Sequence, residues 1–119
     1  MATQSFKDLI VWQKAKVLYI EIHESFKDIK DFSFRDQILR AALSIPNNIA
    51  EGYARRSDKA FKNFLFIGKG SLAEVESMLL IAPDLGHIAQ EEQAKLLSLT
   101  DEVSRLLMGF IKKLPAKDS

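Results

Sequence analysis

The sequence predicts an all-α protein, an up-down-up-down antiparallel four-helix bundle that takes up residues 1–119 as a single domain. Three observations carry that expectation. Apolar residues recur every three or four positions through four stretches of about 20 residues, which is the spacing of one helical face. No window alternates apolar with polar residues, and no Asn-Gly or Asp-Gly pair marks a hairpin, so nothing argues for a strand. The connections between the stretches are short, which favours antiparallel neighbours.

The first helix is expected over residues 9–29, with Val11, Trp12, Ala15, Leu18, Tyr19, Ile22, Phe26 and Ile29 on one face. A turn follows, and Ser33 with Asp36 three positions on reads as an N-cap and near-capping box for a second helix over residues 34–56. At about 100° per residue, Ile38, Ala42, Ile45, Ile49 and Tyr53 form its apolar stripe. Gln37, Arg40, Ser44, Asn48, Glu51 and Arg55 form a narrow polar one, either a solvated face or a hydrogen-bonded seam against another helix or subunit. Pro46 lies inside this helix, where the missing donor and the crowded carbonyl of Ala42 predict a bend; an uncompensated interior proline costs about 3 kcal/mol.

Ser57-Asp58 supplies the next cap, and the third helix is expected over residues 58–85. Its stripe is Phe61, Phe64, Leu65, Gly68, Leu72, Val75, Leu79 and Ala82, stopped by Pro83 and Gly86. Residues 90–114 give the fourth helix through Leu96, Leu99, Val103, Leu107, Phe110 and Leu114. Lys112 and Lys113 suit its C-terminal dipole, and Pro115 ends it.

A length of 119 residues at 47% hydrophobic content fits one core. Cysteine is absent, which removes disulfides and thiolate metal sites and suits a reducing compartment. The opening residues lack a signal-peptide pattern, and the longest apolar run, residues 78–82, is far below the roughly 20 residues a bilayer requires. A cytoplasmic protein with no membrane partner is expected.

No reaction can be read from the chain. Asp84-Leu-Gly-His87 occurs once and at a helix end, unlike the repeated Glu-x-x-His of metal-carboxylate bundles. Ile67-Gly-Lys-Gly-Ser-Leu72 lacks the spacing of a phosphate loop and follows no strand. Glu74 and Glu76 face different ways, and no serine has an identifiable base. The expectation is a non-enzyme with no metal and no cofactor.

The third helix carries a second apolar surface: Phe66, Ala73 and Leu80 repeat every seven residues away from the core stripe, with Ile67 and Ile81 beside them. Ile10 and Val17 add to it from the first helix. A repeating exposed stripe points to a homo-oligomer interface, the other reading being a wider monomer core. Gly68 and Gly70 lie on opposite sides of the same helix, and each costs about 1 kcal/mol against alanine unless a neighbour approaches closely.

The formal charge of +1 conceals two different ends. Residues 1–10, 52–63 and 108–119, which the topology brings together, hold eight bases and three acids, a net of +5. Residues 24–36 and 84–92 hold three bases and seven acids, a net of −4. Copies assembled side by side would concentrate the basic ends into a surface for phosphates. The plainer reading is that these charges cap helices and maintain solubility. Phe61 and Phe64 are expected to point into the core and so not to stack on bases.

Four blocks in order resemble a known family: Phe6-Lys-Asp-Leu-Ile-Val-Trp-Gln-Lys-Ala15, Gln37-Ile-Leu-Arg-Ala-Ala42, Asn48-Ile-Ala-Glu-Gly52 followed by Arg55 or Arg56, and Gly70-Ser-Leu-Ala-Glu-Val-Glu76. Together they look like the four-helix bundle proteins of the 23S rRNA intervening-sequence family, over about residues 6–114. Pro46 departs from the small residue expected there. The resemblance implies a left-handed bundle assembled as a pentameric ring. It also implies kinship with accessory proteins of diversity-generating retroelements, whose basic rings engage a reverse transcriptase and nucleic acid. The leading expectation is therefore RNA or DNA held electrostatically through Arg55, Arg56, Lys59 and Lys62, without base reading. The rival is an oligomeric adaptor for a protein partner such as a polymerase, without nucleic-acid binding.

Overall fold

The computed structural model describes residues 5–115. A 3-10 turn, Phe6–Asp8, leads into α1 (Ile10–Phe26), α2 (Phe32–Ala54) and α3 (Asp58–Ile81); a second 3-10 turn, Ala82–Leu85, then precedes α4 (Gln90–Lys113). No strand occurs among the described residues.

Local chemistry sets most of these limits. Ser5 and Asp8 form a reciprocal capping box around the first turn. The cap of α2 is Asp31, not Ser33: its carboxylate accepts from the Phe34 amide at 3.2 Å, and Ser33 becomes the second helical residue. A carboxylate at a helix N-terminus also meets the positive end of the dipole, an advantage serine lacks. Ser57 caps α3 by accepting from the Ala60 amide at 3.2 Å, and Gly86, at φ 74°, supplies the left-handed exit from the second 3-10 turn. α1 ends at Phe26, short of the expected residue 29; Ile29 packs against the core from the loop. α2 continues through Pro46, whose ring is buried.

Each helix packs against its chain neighbours, and α4 closes on α1. Pairings run in opposite senses along the α1–α4 and α3–α4 contacts. Between α1 and α4, Ser25 donates to Glu92, Glu21 meets Lys95 at 2.9 Å, and Lys14 meets Glu102 at 3.3 Å. Between α3 and α4, Gln93 donates to the Leu79 carbonyl at 3.1 Å near one end, and Lys62 to that of Pro115 at 3.1 Å near the other. The result is an up-down-up-down bundle measuring 49 × 26 × 23 Å. Leu18, Ile22, Phe26, Ile38, Ile45, Ile49, Leu65, Leu79, Leu96 and Leu107 fill its axis without exposure.

The polar stripe of α2 is a seam at Gln37 and Ser44 and a solvated face at Arg40, Glu51 and Arg55. Gln37 donates to Glu74 and Ser44 to Ser71, both on α3, while Asn48 donates to the Ser44 carbonyl at 2.7 Å. Gly52 allows a close approach, whereas a side chain at Gly68 would make only ordinary contact. A Cβ on Gly68 would lie 3.9 Å from Asn48 Cβ, and one on Gly52 would lie 2.6 Å from Phe64 Cβ. The α2–α3 contact therefore tightens toward the α2–α3 turn.

Phe66, Ile67, Leu80 and Ile81 are 45–54% exposed, and Ala73 is also exposed. Ile10 and Val17 on α1 are exposed as well. Ala73 and Leu80 line a groove of about 280 Å³ shared with Leu97, Thr100 and Ser104 of α4. Helical periodicity puts Ile67 and Ile81 on the other flank, toward α2.

Candidate nucleic-acid interface

The cations expected at one end do gather there, because antiparallel packing brings the start of α1, the α2–α3 turn and the end of α4 to one pole. Lys117 and Asp118, counted at this pole in the sequence, lie outside the described residues. Lys7, Arg55, Arg56, Lys59, Lys62, Lys112 and Lys113 remain, against Asp8 and Asp58.

The four nominated contacts differ in environment. Arg55 caps the end of α2; its guanidinium lies 5.1 Å over the Phe64 ring and meets Glu51 at 2.8 Å. These two contacts hold the planar group at the surface in one orientation. Arg56 follows at φ 59°, a conformation costing roughly 1–2 kcal/mol for a residue other than glycine. It is exposed and forms no ion pair among the described residues. Lys59 is exposed in the first turn of α3. Lys62 is half-buried, with one of its ammonium hydrogens already donated to the Pro115 carbonyl. Arg55 and Arg56 thus present their charges outward beside the exposed Lys59, and Lys62 also ties α3 to the segment that follows α4.

Phe61 points inward as expected, edge-on to Phe110 at 5.2 Å and to Tyr53 at 5.6 Å. Phe64 departs from expectation. It is only half-buried, and its outer face carries Arg55. Gly52 explains the placement, since without a side chain it lets Phe64 lie directly on α2. Between Tyr53, Arg56, Ser57, Asp58 and Phe61 is a notch of about 250 Å³. The spacing of apolar residues does not reveal this notch, because it depends on what the α2–α3 turn leaves uncovered.

The opposite pole is joined by a contact 56 residues apart in sequence: His87 Nε2 lies 3.0 Å from Asp31 Oδ2, and the Phe34 ring packs against the imidazole at 5.0 Å. The Phe34 amide, and then His87, hold the Asp31 carboxyl below its ordinary value. Nearby, the hydrogen bond from Lys27 similarly lowers Glu24. Among the described residues no group of three or more histidine or carboxylate side chains could hold a metal, and no helix is long and apolar enough to cross a membrane.

No curated protein matches the sequence. Among solved structures, the chain resembles a protein with unknown function from the S23 ribosomal protein family of Bacteroides thetaiotaomicron VPI-5482. The TM-score is 0.82 and the identity 28%, over 87% of this chain and all of that one. The family described as 23S rRNA-intervening sequence protein matches residues 7–109, which takes in all of α1, α2 and α3 and most of α4. A match of that extent, on a bundle that superimposes on a solved S23-family structure, establishes that the chain belongs to the 23S rRNA-intervening sequence protein family.

Proposed function

We propose that the protein is a non-enzymatic homo-oligomer that holds RNA or DNA electrostatically at its basic pole. The separation of charge carries the reading: the described residues of one pole net +5 and those of the other −4, on a molecule 49 Å long. Because the poles lie much more than a Debye length of about 8 Å apart, the acidic pole does not cancel the basic one at physiological salt. Arg55, Arg56 and Lys59 supply phosphate contacts, with Lys62 behind them. The exposed stripe of Phe66, Ala73 and Leu80, together with Ile67 and Ile81, supports assembly into a ring such as a pentamer, which multiplies the positive surface.

Such binding weakens steeply with salt, because each phosphate neutralised releases condensed counterions. Titrating mixed-sequence RNA and DNA between about 50 and 200 mM salt tests it. The wild type is expected to lose affinity linearly in log salt, and Arg55→Glu with Arg56→Glu to abolish binding. An absence of binding at the lowest salt, or a double variant that binds as well as the wild type, rejects the reading.

A further inference from the structure

The notch beside Arg56 is small and of mixed polarity. At about 250 Å³ it falls below the roughly 300–1,000 Å³ of pockets for drug-sized ligands, and so offers room for one flat ring system. Its aromatic wall is fixed in place: Tyr53 meets Phe61 at an interplanar angle of 75°, and Phe110 braces Phe61 from behind at 71°. Arg56 and Asp58 line the same space with opposite charges, and neither forms an ion pair among the described residues.

We propose that this notch receives one unpaired nucleobase bearing an exocyclic amino group, so that the basic pole takes single-stranded rather than duplex nucleic acid. The inference rests on the electrostatic binding proposed above. A phosphate entering the notch would meet the Asp58 carboxylate and be repelled. An amino-bearing base offers that carboxylate N–H donors, as cytosine does to acidic side chains in grooves. Its ring lies against Tyr53, and Arg56 at the rim holds the adjoining phosphate. Duplex bases are stacked and paired, so they cannot enter without being extruded. Uracil and thymine carry no exocyclic amine and can offer Asp58 only the single ring N3–H, flanked on both sides by carbonyl oxygens that the carboxylate repels.

The test is fluorescence anisotropy on the full chain at about 50 mM salt and neutral pH, with single-stranded oligo(C) and oligo(U) of equal length and a mixed-sequence duplex. RNA and DNA forms are run in parallel. The wild type is expected to bind oligo(C) more tightly than oligo(U), and single strands more tightly than duplex. Tyr53→Ala should weaken oligo(C) binding about tenfold, the scale of one lost base stack. It should not change the slope of log affinity against log salt, because that slope counts phosphates. Should Tyr53→Ala fail to fold, Asp58→Ala at the exposed first position of α3 serves instead. It removes a negative charge, so all oligonucleotides should bind more tightly, while the preference for C over U disappears. Equal wild-type affinity for oligo(C) and oligo(U), a Tyr53→Ala loss shared equally by single strand and duplex, or a preference surviving in Asp58→Ala refutes the notch and leaves phosphate binding standing. Failure of every oligonucleotide to bind refutes the underlying reading instead.

Discussion

Substituting Gly52 by alanine tests the α2–α3 packing that places the basic pole. The added Cβ would lie 2.6 Å from Phe64 Cβ and 3.1 Å from Phe61 Cδ1, whereas carbon atoms pack best at roughly 3.5–4.0 Å. Neither Cβ can be moved by rotating a side chain. The two helices must therefore separate by about 1 Å, the kind of overpacking that costs roughly 1–3 kcal/mol. Replacing glycine by alanine inside a helix returns about 1 kcal/mol. Because this clash is between atoms fixed to the backbone, the upper part of the range applies, and the net loss is about 1–2 kcal/mol. For a chain of this size that lowers Tm by about 3–10 °C, read by circular dichroism at one fixed protein concentration. Gly70→Ala is the matched control. Nothing lies within 4 Å of its Cβ position, so it should stabilise the chain by about 0.5–1 kcal/mol. A Gly52→Ala protein melting at or above the wild type would refute the close approach.

Leu65 is fully buried, and Leu65→Ala should cost about 2–5 kcal/mol in a denaturant titration without altering the charged pole. Ser57→Ala removes the cap of α3 and should cost about 1 kcal/mol by the same measurement. Phe66→Asp should leave the helical circular dichroism spectrum intact and reduce the sedimenting mass; a mass equal to that of the wild type would show that this surface joins no copies. Because the Asp31 carboxyl is held below its ordinary 3.8, its contribution is fully present above that pH. It is lost as pH falls below 3.8 through the folded-state value. Asp31→Asn should therefore lower stability near neutrality, where the carboxylate contribution is present, and change little at the acid end, so that the acid limb of a stability profile flattens.

The bundle was legible in the sequence because its helices are amphipathic at one period. Ile38, Ala42, Ile45 and Ile49 of α2, and Leu65, Leu72, Val75 and Leu79 of α3, are all buried where the spacing puts them. Periodicity failed where a residue's fate depends on a distant partner. Phe64 sits on the expected stripe of α3, yet Gly52 and Arg55 on α2 determine how it packs. Thr100, which the apolar spacing of α4 does not pick out, is buried with its hydroxyl donating to the Leu96 carbonyl one turn back. Asp31 and Ser33 both suit an N-cap by composition. The choice between them falls with His87, which packs against that turn from the α3–α4 loop. For the candidate site, the cations could be counted from the sequence and their pole inferred from topology. The notch could not, because it exists only where the α2–α3 turn leaves the Tyr53–Phe61 edge uncovered.

The polar seam bears directly on the charged pole. An all-apolar contact between α2 and α3 could slide by a turn at small cost, since one aliphatic side chain substitutes for another. Ser44 with Ser71, which are half-buried, favours one register because a slip would separate these hydroxyls, and the exposed pairing of Gln37 with Glu74 fits the same register. That register fixes where the α2–α3 turn falls, and with it the height of Arg55, Arg56 and Lys59 along the bundle. Orientation between copies then determines whether the charge is useful. Bundles packed side by side in the same direction add their +5 poles into one cationic face. Bundles packed in opposite directions would set each +5 pole against a −4 pole and cancel most of the field. An oligomer built through the α3 stripe therefore binds polyanions strongly only if its axes are parallel. In a parallel assembly Phe66→Asp should weaken nucleic-acid binding even though Phe66 carries no charge and belongs to none of the phosphate contacts, and the salt slope should fall with it. If Phe66→Asp yields monomers that bind with undiminished affinity and slope, each pole acts alone and assembly has no part in binding.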